Sequence, residues 1–453
     1  MPRVPVLRGL PRIGHLIEMG LWPLDFLTSI QRDHPELVTV SINGGSFTLV
    51  TNPTLVEEIL VTQQKKFQKD KFLKLYAKPV FGNGLLSSDG DFWLRQRRMA
   101  QPAFHRTRIT EYSDAMTRHG SASLATLSAG TWVDIHPVMM RLTLEIVAET
   151  LFGEVPSHAL QQISTALEQI MHHYAGDSIV QILSQLLNRT LDTAGEVAFQ
   201  QAVQSFDAVI ADIIAARQQD NTPRSDLLSM FLAARDDDGA PMSSEQLRDE
   251  CKTMFLAGHE TTALTMSWTL WLLATHPEIQ QRMANEVKTV VGKRIPTLDD
   301  IKELPFIEQV IRESMRLYPP AWVIQRESLT DVSLGSTDDP YMIPKEHDVL
   351  VSPAAMHRDP RFYPEPDRFL PSRWTPEFIA ALPRYAYFPF GGGPRQCIGQ
   401  QFATMEATLL LAQCMQHGRW QAHPYHRVVA QPSITQRPKY GVKVRFLPHN
   451  DVN

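Results

Sequence analysis

Cysteine is scarce: the 453 residues hold three, Cys251, Cys397 and Cys414. Scattered thiols in that number build neither a disulfide framework nor a four-cysteine zinc site. One of them can still be a ligand or a nucleophile. An excess of positive charge is also missing, with 44 Lys and Arg against 49 Asp and Glu for a formal net charge of -5. Nucleic-acid binders need the opposite balance to offset phosphate. Prolines, arginines and a glutamate break every apolar run in the first 27 residues before it reaches signal-peptide or membrane-span length. The one long apolar stretch, residues 254–274, carries Gly258, His259 and Glu260 near its middle. A carboxylate there costs about 2.5 to 3.5 kcal/mol on insertion scales, so the stretch reads as a helix buried in protein and the chain as a soluble, cytoplasmic enzyme. No βαβ rhythm, GxGxxG fingerprint, internal repeat or low-complexity linker occurs.

Two strand-like runs, residues 37–42 and 46–50, flank Asn43-Gly44-Gly45, which suits a hairpin. From residue 53 onwards, apolar side chains three and four apart, as in 138–152 and 202–216, indicate amphipathic helices. The run Arg235-Asp236-Asp237-Asp238-Gly239-Ala240-Pro241 reads as a solvated loop rather than a metal site. Ser243 and Gln246 then form a capping box for a helix that runs to about Thr275, where His276-Pro277 breaks it. Some 30 residues at 1.5 Å each span about 45 Å. Such a helix crosses the interior, and its polar centre is where chemistry is expected. Prolines crowd the later chain, a last helix is expected over 398–416, and a strand-like tail over 441–447.

The most informative run is Phe390-Gly391-Gly392-Gly393-Pro394-Arg395-Gln396-Cys397-Ile398-Gly399. Its glycines let backbone approach a flat ligand closely, and a helix N-terminus with Arg395 favours a thiolate at Cys397. Taken alone, Cys397 is equally an inert buried cysteine, or a hydrolase nucleophile paired with one of 16 histidines. The whole pattern F-x-x-G-x-R-x-C-x-G, met at every position, resembles the cytochrome P-450 family of haem-thiolate monooxygenases. The resemblance implies that Cys397 is the proximal ligand of haem iron, that Arg395 pairs with a propionate, and that Phe390 packs beside the sulfur and tempers its donation.

Further motifs carry the same resemblance. Glu313 and Arg316, three apart on one helix face, would alone be a solvent-exposed ion pair. With Pro366-Asp367-Arg368-Phe369 downstream they look like the family's Glu-Arg-Arg network, so Glu313, Arg316 and Arg368 are expected to be structural. Asp367 departs from the family's more usual glutamate. Ala257-Gly258-His259-Glu260-Thr261-Thr262 resembles the oxygen-binding segment. There Gly258 makes room, Thr261 loosens the helical ladder, and Glu260 and Thr261 offer an acid and a hydroxyl to relay protons. A kinked core helix is the plainer alternative. The W-x-x-x-R spacing of Trp93 and Arg97, and Arg326 after the prolines, resemble residues that meet a haem propionate.

The resemblance runs from Leu10-Pro11-Arg12-Ile13-Gly14-His15 to the final strand. It implies a mainly α fold with small β-sheets, a single haem-thiolate monooxygenase domain over 1–453, and haem b held between the long distal helix and the Cys397 loop. Only 56 residues follow Cys397. The expectation is therefore no fused reductase, with NAD(P)H electrons arriving through a separate ferredoxin or flavodoxin and its reductase, and a monomeric enzyme. Arg95 and Arg98 are either part of a basic docking face for that acidic partner or a plain solvated helix face. The implied reaction inserts one atom of O2 into a C-H or C=C bond of a hydrophobic substrate. A peroxide-driven peroxygenase and a non-catalytic haem-thiolate sensor are the rivals. Leu85, Leu86, Ala257, Thr261, Ala321 and Val323 are expected to line the pocket, and Trp322 to narrow it. The motif style resembles bacterial members near the fatty-acid hydroxylase branch. However, Asn43, Ser46 and Thr48 stand where the best-known of those places an arginine and a tyrosine for the carboxylate, so terpenoids and steroids stay open beside fatty acids.

Overall fold

The helix foreseen from its capping box organises the protein. In the computed structural model, which describes residues 4–449 apart from 72, 106, 107, 109, 177, 188–191, 221 and 223, it spans Ser244–Thr275. The Ser243 hydroxyl accepts from the Gln246 amide and the Gln246 side chain accepts from the Ser243 amide, both at 3.2 Å. His276 and Pro277 end it. Of the helices around it, α1 (Gly90–Ala100) leads into the site. Next come α2 (Ser113–Ala125), α3 (Ile135–Phe152) and α4 (Thr193–Gln219). The long helix itself is α5, followed by α6 (Pro305–Leu317) and α7 (Gln400–His417).

Burial follows from this crossing. The C-terminal half of α5 joins α6 and α7 in one apolar cluster through Ala263, Met266 and Leu270. Its N-terminal half joins α3 and α4 in another through Met254, Phe255 and Leu256. Phe255 stacks on Phe152 with ring centroids 4.8 Å apart. A Cβ on Gly258 would lie 3.2 Å from a Val147 methyl. The missing side chain therefore brings α3 close; it does not open the room for a ligand expected at Gly258.

Six strands form the main sheet in the order β1-β2-β3-β6-β5-β4: β1 (Val6–Leu7), β2 (Leu37–Ile42), β3 (Gly45–Val50), β4 (Phe67–Gln68), β5 (Ile324–Ser328) and β6 (Asp348–Val351). The predicted hairpin is β2–β3, turning at Asn43 and Gly44 with φ of 43° and 77°. Near the C-terminus lie β7 (Arg419–Ala422), the hairpin β8 (Ala430–Pro432) with β9 (Gln436–Pro438), and β10 (Lys443–Leu447). The last helix starts two residues later than expected because Gly399 serves as its N-cap. The mainly helical fold with small sheets is as expected. Among the described residues no helix is long and apolar enough to cross a membrane.

The acidic run after Arg235 is a loop with an internal partner. Asp236 and Asp237 receive Arg95 and Arg98 of α1 at 3.4 and 2.7 Å. Among the described residues no three His, Cys, Asp or Glu side chains are placed to hold a metal ion.

Candidate active site

The cysteine loop is shaped by close backbone contact. Gly391 and Gly393 have φ of 71° and 65°, and a Cβ at Gly393 would lie 1.9 Å from the Leu60 carbonyl oxygen. The Cys397 amide returns to the Phe390 carbonyl at 3.0 Å, closing the loop. Phe390 packs on the α5–α7 cluster. Cys397 has an accessible surface, yet burial pushes its thiol up. Both hold at once when the sulfur faces an enclosed space rather than bulk water. An amide hydrogen bond from Gly399 and the charge of Arg97 pull the thiol back, while Arg395 does not figure among the causes. The cation whose charge reaches the sulfur is thus Arg97, which itself donates from Nε to Gln101 at 3.1 Å. Arg395 instead donates to the Ser88 carbonyl at 2.9 Å and to Asp89 at 2.6 Å, with its guanidinium 4.3 Å over the Trp93 ring.

Arg395 belongs to a group of cations that sequence reasoning found only in part. Arg326, on β5, is buried. Burial and then the charge of Arg395 lower it to about 10. Lys69 is buried beside them, 8% exposed, and is lowered well below an ordinary lysine by burial and by both arginines. Asp89 and Asp70 oppose this without cancelling it. Asp89 is already shared with Lys74 and the Lys69 amide. A buried surplus of positive charge in a dry site is costly, and two further carboxylates are what would balance it. Lys69 sits in a run with Lys65, Lys66, Lys71 and Lys74 that reads as a solvated face. Only burial singles it out.

The α5 segment opens on one side. Ala257 is exposed and Gly258 and Thr261 are half-buried, while Phe255, Leu256, His259 and Glu260 are buried. The Thr261 hydroxyl donates to the Ala257 carbonyl at 2.7 Å and Thr143 of α3 donates to the His259 carbonyl at 2.9 Å, so hydroxyls compete for this stretch of the ladder. Glu260 is bonded to a hairpin near the C-terminus. Its Oε1 accepts from Arg437 Nε at 2.7 Å and from the Thr435 hydroxyl. Burial raises this carboxyl, but the Arg437 charge and these hydrogen bonds bring it below the usual carboxylate value. Arg437 and Thr435 lie on and beside β9, more than 170 residues away, and no local signal marks them.

The structural network differs from expectation in one member. Glu313 binds Arg316 through both oxygens at 2.8 and 2.9 Å. It also accepts from Arg373 Nε at 3.0 Å, from the Leu370 amide at 2.9 Å and from the Trp374 indole at 2.9 Å. Arg316 donates onward to the carbonyls of His357, Pro366 and Arg368. The Arg368 side chain is 64% exposed and pairs with Glu365. The second arginine is therefore Arg373: Arg368 contributes only its carbonyl, and the turn at Pro371–Arg373 brings the next arginine inward.

Of the expected pocket residues, Leu85 and Leu86 pack with the N-terminal half of α5. Asn83 and Leu85 donate their amides to Asp249 and Glu250 of that helix at 2.7 and 3.1 Å. Ala321 is exposed and Val323 half-buried. Trp322 does not narrow this space: it is buried in the cluster under the main sheet, and its indole holds the Ser433 carbonyl at 2.7 Å. Thr48 is committed to Thr39 and His347.

The family model "Cytochrome P450" matches residues 4–443. The chain belongs to the cytochrome P450 family. It is 36% identical to cyclooctatin synthase of Streptomyces melanosporofaciens over 97% of this chain and 94% of that one. It is 32% identical to pentalenene oxygenase of Streptomyces avermitilis, covering 95% and 92%. Among solved structures, the heme domain of cytochrome P450DA superposes with a TM-score of 0.87 at 27% identity over 98% of both chains. A retinoic acid bound cyanobacterial CYP120A1 gives 0.85 at 27% identity over 98% and 99%. The protein is a cytochrome P450 monooxygenase, and membership implies use of haem and O2. The residues fit that group: the surplus of Lys69, Arg326 and Arg395 matches two propionates, and Cys397 stands in the enclosed loop as the thiol donor.

Proposed function

We propose that this P450 oxygenates a cyclic terpenoid hydrocarbon or a close derivative at a C-H or C=C bond, with NAD(P)H electrons delivered by a separate ferredoxin or flavodoxin. The site residues expected from the sequence carry over with two changes, Lys69 added and Arg373 in place of Arg368. Cys397 is the haem iron ligand, with Phe390 beside the sulfur. Trp93, Arg97, Arg326 and Arg395, with Lys69 added, would hold the propionates, and haem when bound supplies oxygen activation. Glu260 and Thr261 handle the protons, Thr261 at its hydroxyl and Glu260 at its carboxyl. Leu85, Leu86, Ala257, Ala321 and Val323 form an apolar wall that positions substrate and excludes water. Glu313, Arg316 and Arg373 fix the backbone behind the cysteine loop.

The observation that carries this reading is the closed glycine loop that presents Cys397, in one chain with a buried group of cations, Lys69 and Arg326 with Arg395. The terpenoid class is supported by relatives named pentalenene oxygenase and cyclooctatin synthase, and by a hairpin whose hydroxyls are spent on one another and on His347 instead of on a carboxylate. Docking of an acidic electron donor does not rest on Arg95 and Arg98, which are engaged by Asp236 and Asp237.

The test is a carbon monoxide difference spectrum of the reduced protein, followed by NADPH-driven turnover with surrogate redox proteins. Cyclic sesquiterpene and diterpene hydrocarbons are run beside fatty acids and steroids. A strongly red-shifted Soret band with oxygenated terpenoid product is expected. Turnover of fatty acids alone overturns the substrate class, and product formed with hydrogen peroxide but not with NADPH and redox proteins overturns the electron route.

A further inference from the structure

The hairpin β8–β9 touches two parts of the site within a few residues. At its tip Ile434 packs with the cluster that includes Leu85 and Phe255. Directly after it, Thr435 and Arg437 converge on the single oxygen Oε1 of Glu260. A purely structural buried ion pair would use the remaining donors of its arginine. Here Arg437 Nη2 is buried with no hydrogen-bond partner among the described residues.

We propose that Arg437 is a positioning residue for proton handling, holding Glu260 ionised and turned toward the hairpin, so that the acid takes up a proton only when this contact loosens. The proposal rests on the monooxygenase reading and deepens it. The exchange balances: a hydronium ion from solvent gives a proton to Glu260 Oε1, leaving water, as the Arg437 N-H bond to that oxygen breaks. The neutral acid then gives the proton to the Thr261 hydroxyl oxygen, directly or through one water, as that hydroxyl releases its own proton into the pocket, and Glu260 returns to Arg437 as carboxylate. An acid held well below neutral pH is a poor donor at working pH, so the grip of Arg437 sets how often the acid is charged with a proton.

The groups facing Glu260 are few. On its own helix there is His259, whose Nδ1 is bonded to the Phe255 carbonyl at 2.8 Å. From α3 comes His136, bonded to Ser267 at 3.2 Å and lowered to about 4 by burial and by Arg437, with Asp134 beyond it. Neither histidine is a cation near neutral pH. Among the described residues, Arg437 is the facing group that lowers Glu260 by both charge and a hydrogen bond.

The test is an infrared pH titration of the protonated-carboxyl band of Glu260 in the ferric enzyme, isolated as the difference between wild type and Glu260→Gln. It is paired with product formed per NADPH and with the solvent deuterium isotope effect. Arg437→Gln is expected to raise the pH at which the band appears by about 1 to 3 units, to change the isotope effect and to lower coupling. Arg437→Lys is expected to restore all three in part. If Arg437→Gln does not fold, Thr435→Val, which removes the other donor to Oε1, moves the band in the same direction by less. An unmoved band in a folded variant overturns the proposal, as does a moved band with unchanged coupling and isotope effect. A lost carbon monoxide signature in the wild type overturns the underlying reading instead.

Discussion

Arg373 donates from Nε to Glu313 at 3.0 Å, five positions beyond the arginine that the motif points to. Glu313 and Arg316 have no exposed side-chain surface and Arg373 is 7% exposed. Breaking such a buried group leaves an uncompensated charge, at a cost of about 3 to 5 kcal/mol. Glu313→Ala and Arg373→Ala are therefore expected to lose that much in denaturant unfolding, while Arg368→Ala stays within about 0.5 kcal/mol of wild type. Equal losses for Arg368→Ala and Arg373→Ala would return the role to Arg368.

Removal of Lys69 separates haem binding from folding. Lys69→Met takes a cation from beside Arg326 and Arg395, so the apoprotein is expected to melt at higher temperature than wild type. The holoprotein is expected to lose haem faster to an apomyoglobin acceptor. A destabilised apoprotein with unchanged haem loss contradicts the assignment.

Cys397→Ser keeps the size of the side chain but not the thiolate. The expected outcome is folded protein without the red-shifted carbon monoxide band; a variant that retains the wild-type spectrum rules Cys397 out as the ligand.

At Thr261 the change is in partitioning. Thr261→Ala is expected to form less product and more hydrogen peroxide per NADPH with haem content intact. Unchanged coupling would leave Thr261 as a helix-loosening residue only.

A pH effect is expected away from the site, where His119 of α2 lies between Glu149 at 2.7 Å and Glu145 at 3.6 Å of α3. Its pKa is raised, first by the Glu145 hydrogen bond and also by Glu149, against burial. A folded-state pKa above the unfolded value means stability that is fully present below about 6.5 and lost as pH rises through the higher folded value. The stability difference between wild type and His119→Gln is expected to be larger at low pH than at high pH; a difference that grows with pH would reverse the sign.

Features set by adjacent residues were legible in the sequence. Ser243 and Gln246 fixed the start of the long helix, Asn43-Gly44 placed the hairpin, and Phe390 to Gly399 marked the cysteine loop. What escaped depends on contacts across the chain. Lys69 looks like its solvated neighbours until the fold buries it beside Arg326, and Arg437 reaches Glu260 from a hairpin with no motif. Trp322 and Val323 follow the prolines as a pocket-like pair, yet both pack in the cluster under the sheet. Arg368 and Arg373 share one loop, and only the turn at Pro371 decides which side chain goes inward.

The collision waiting at Gly393 also bears on how this loop can vary. A methyl group there meets the Leu60 carbonyl oxygen at 1.9 Å, whereas one at Gly44, with a similar positive φ, meets nothing within 4 Å. In a saturation library Gly44 should therefore accept asparagine or aspartate, the residues that tolerate left-handed backbone. Position 393 should return glycine alone, because the veto comes from a neighbouring segment of the chain and acts before any cofactor is bound.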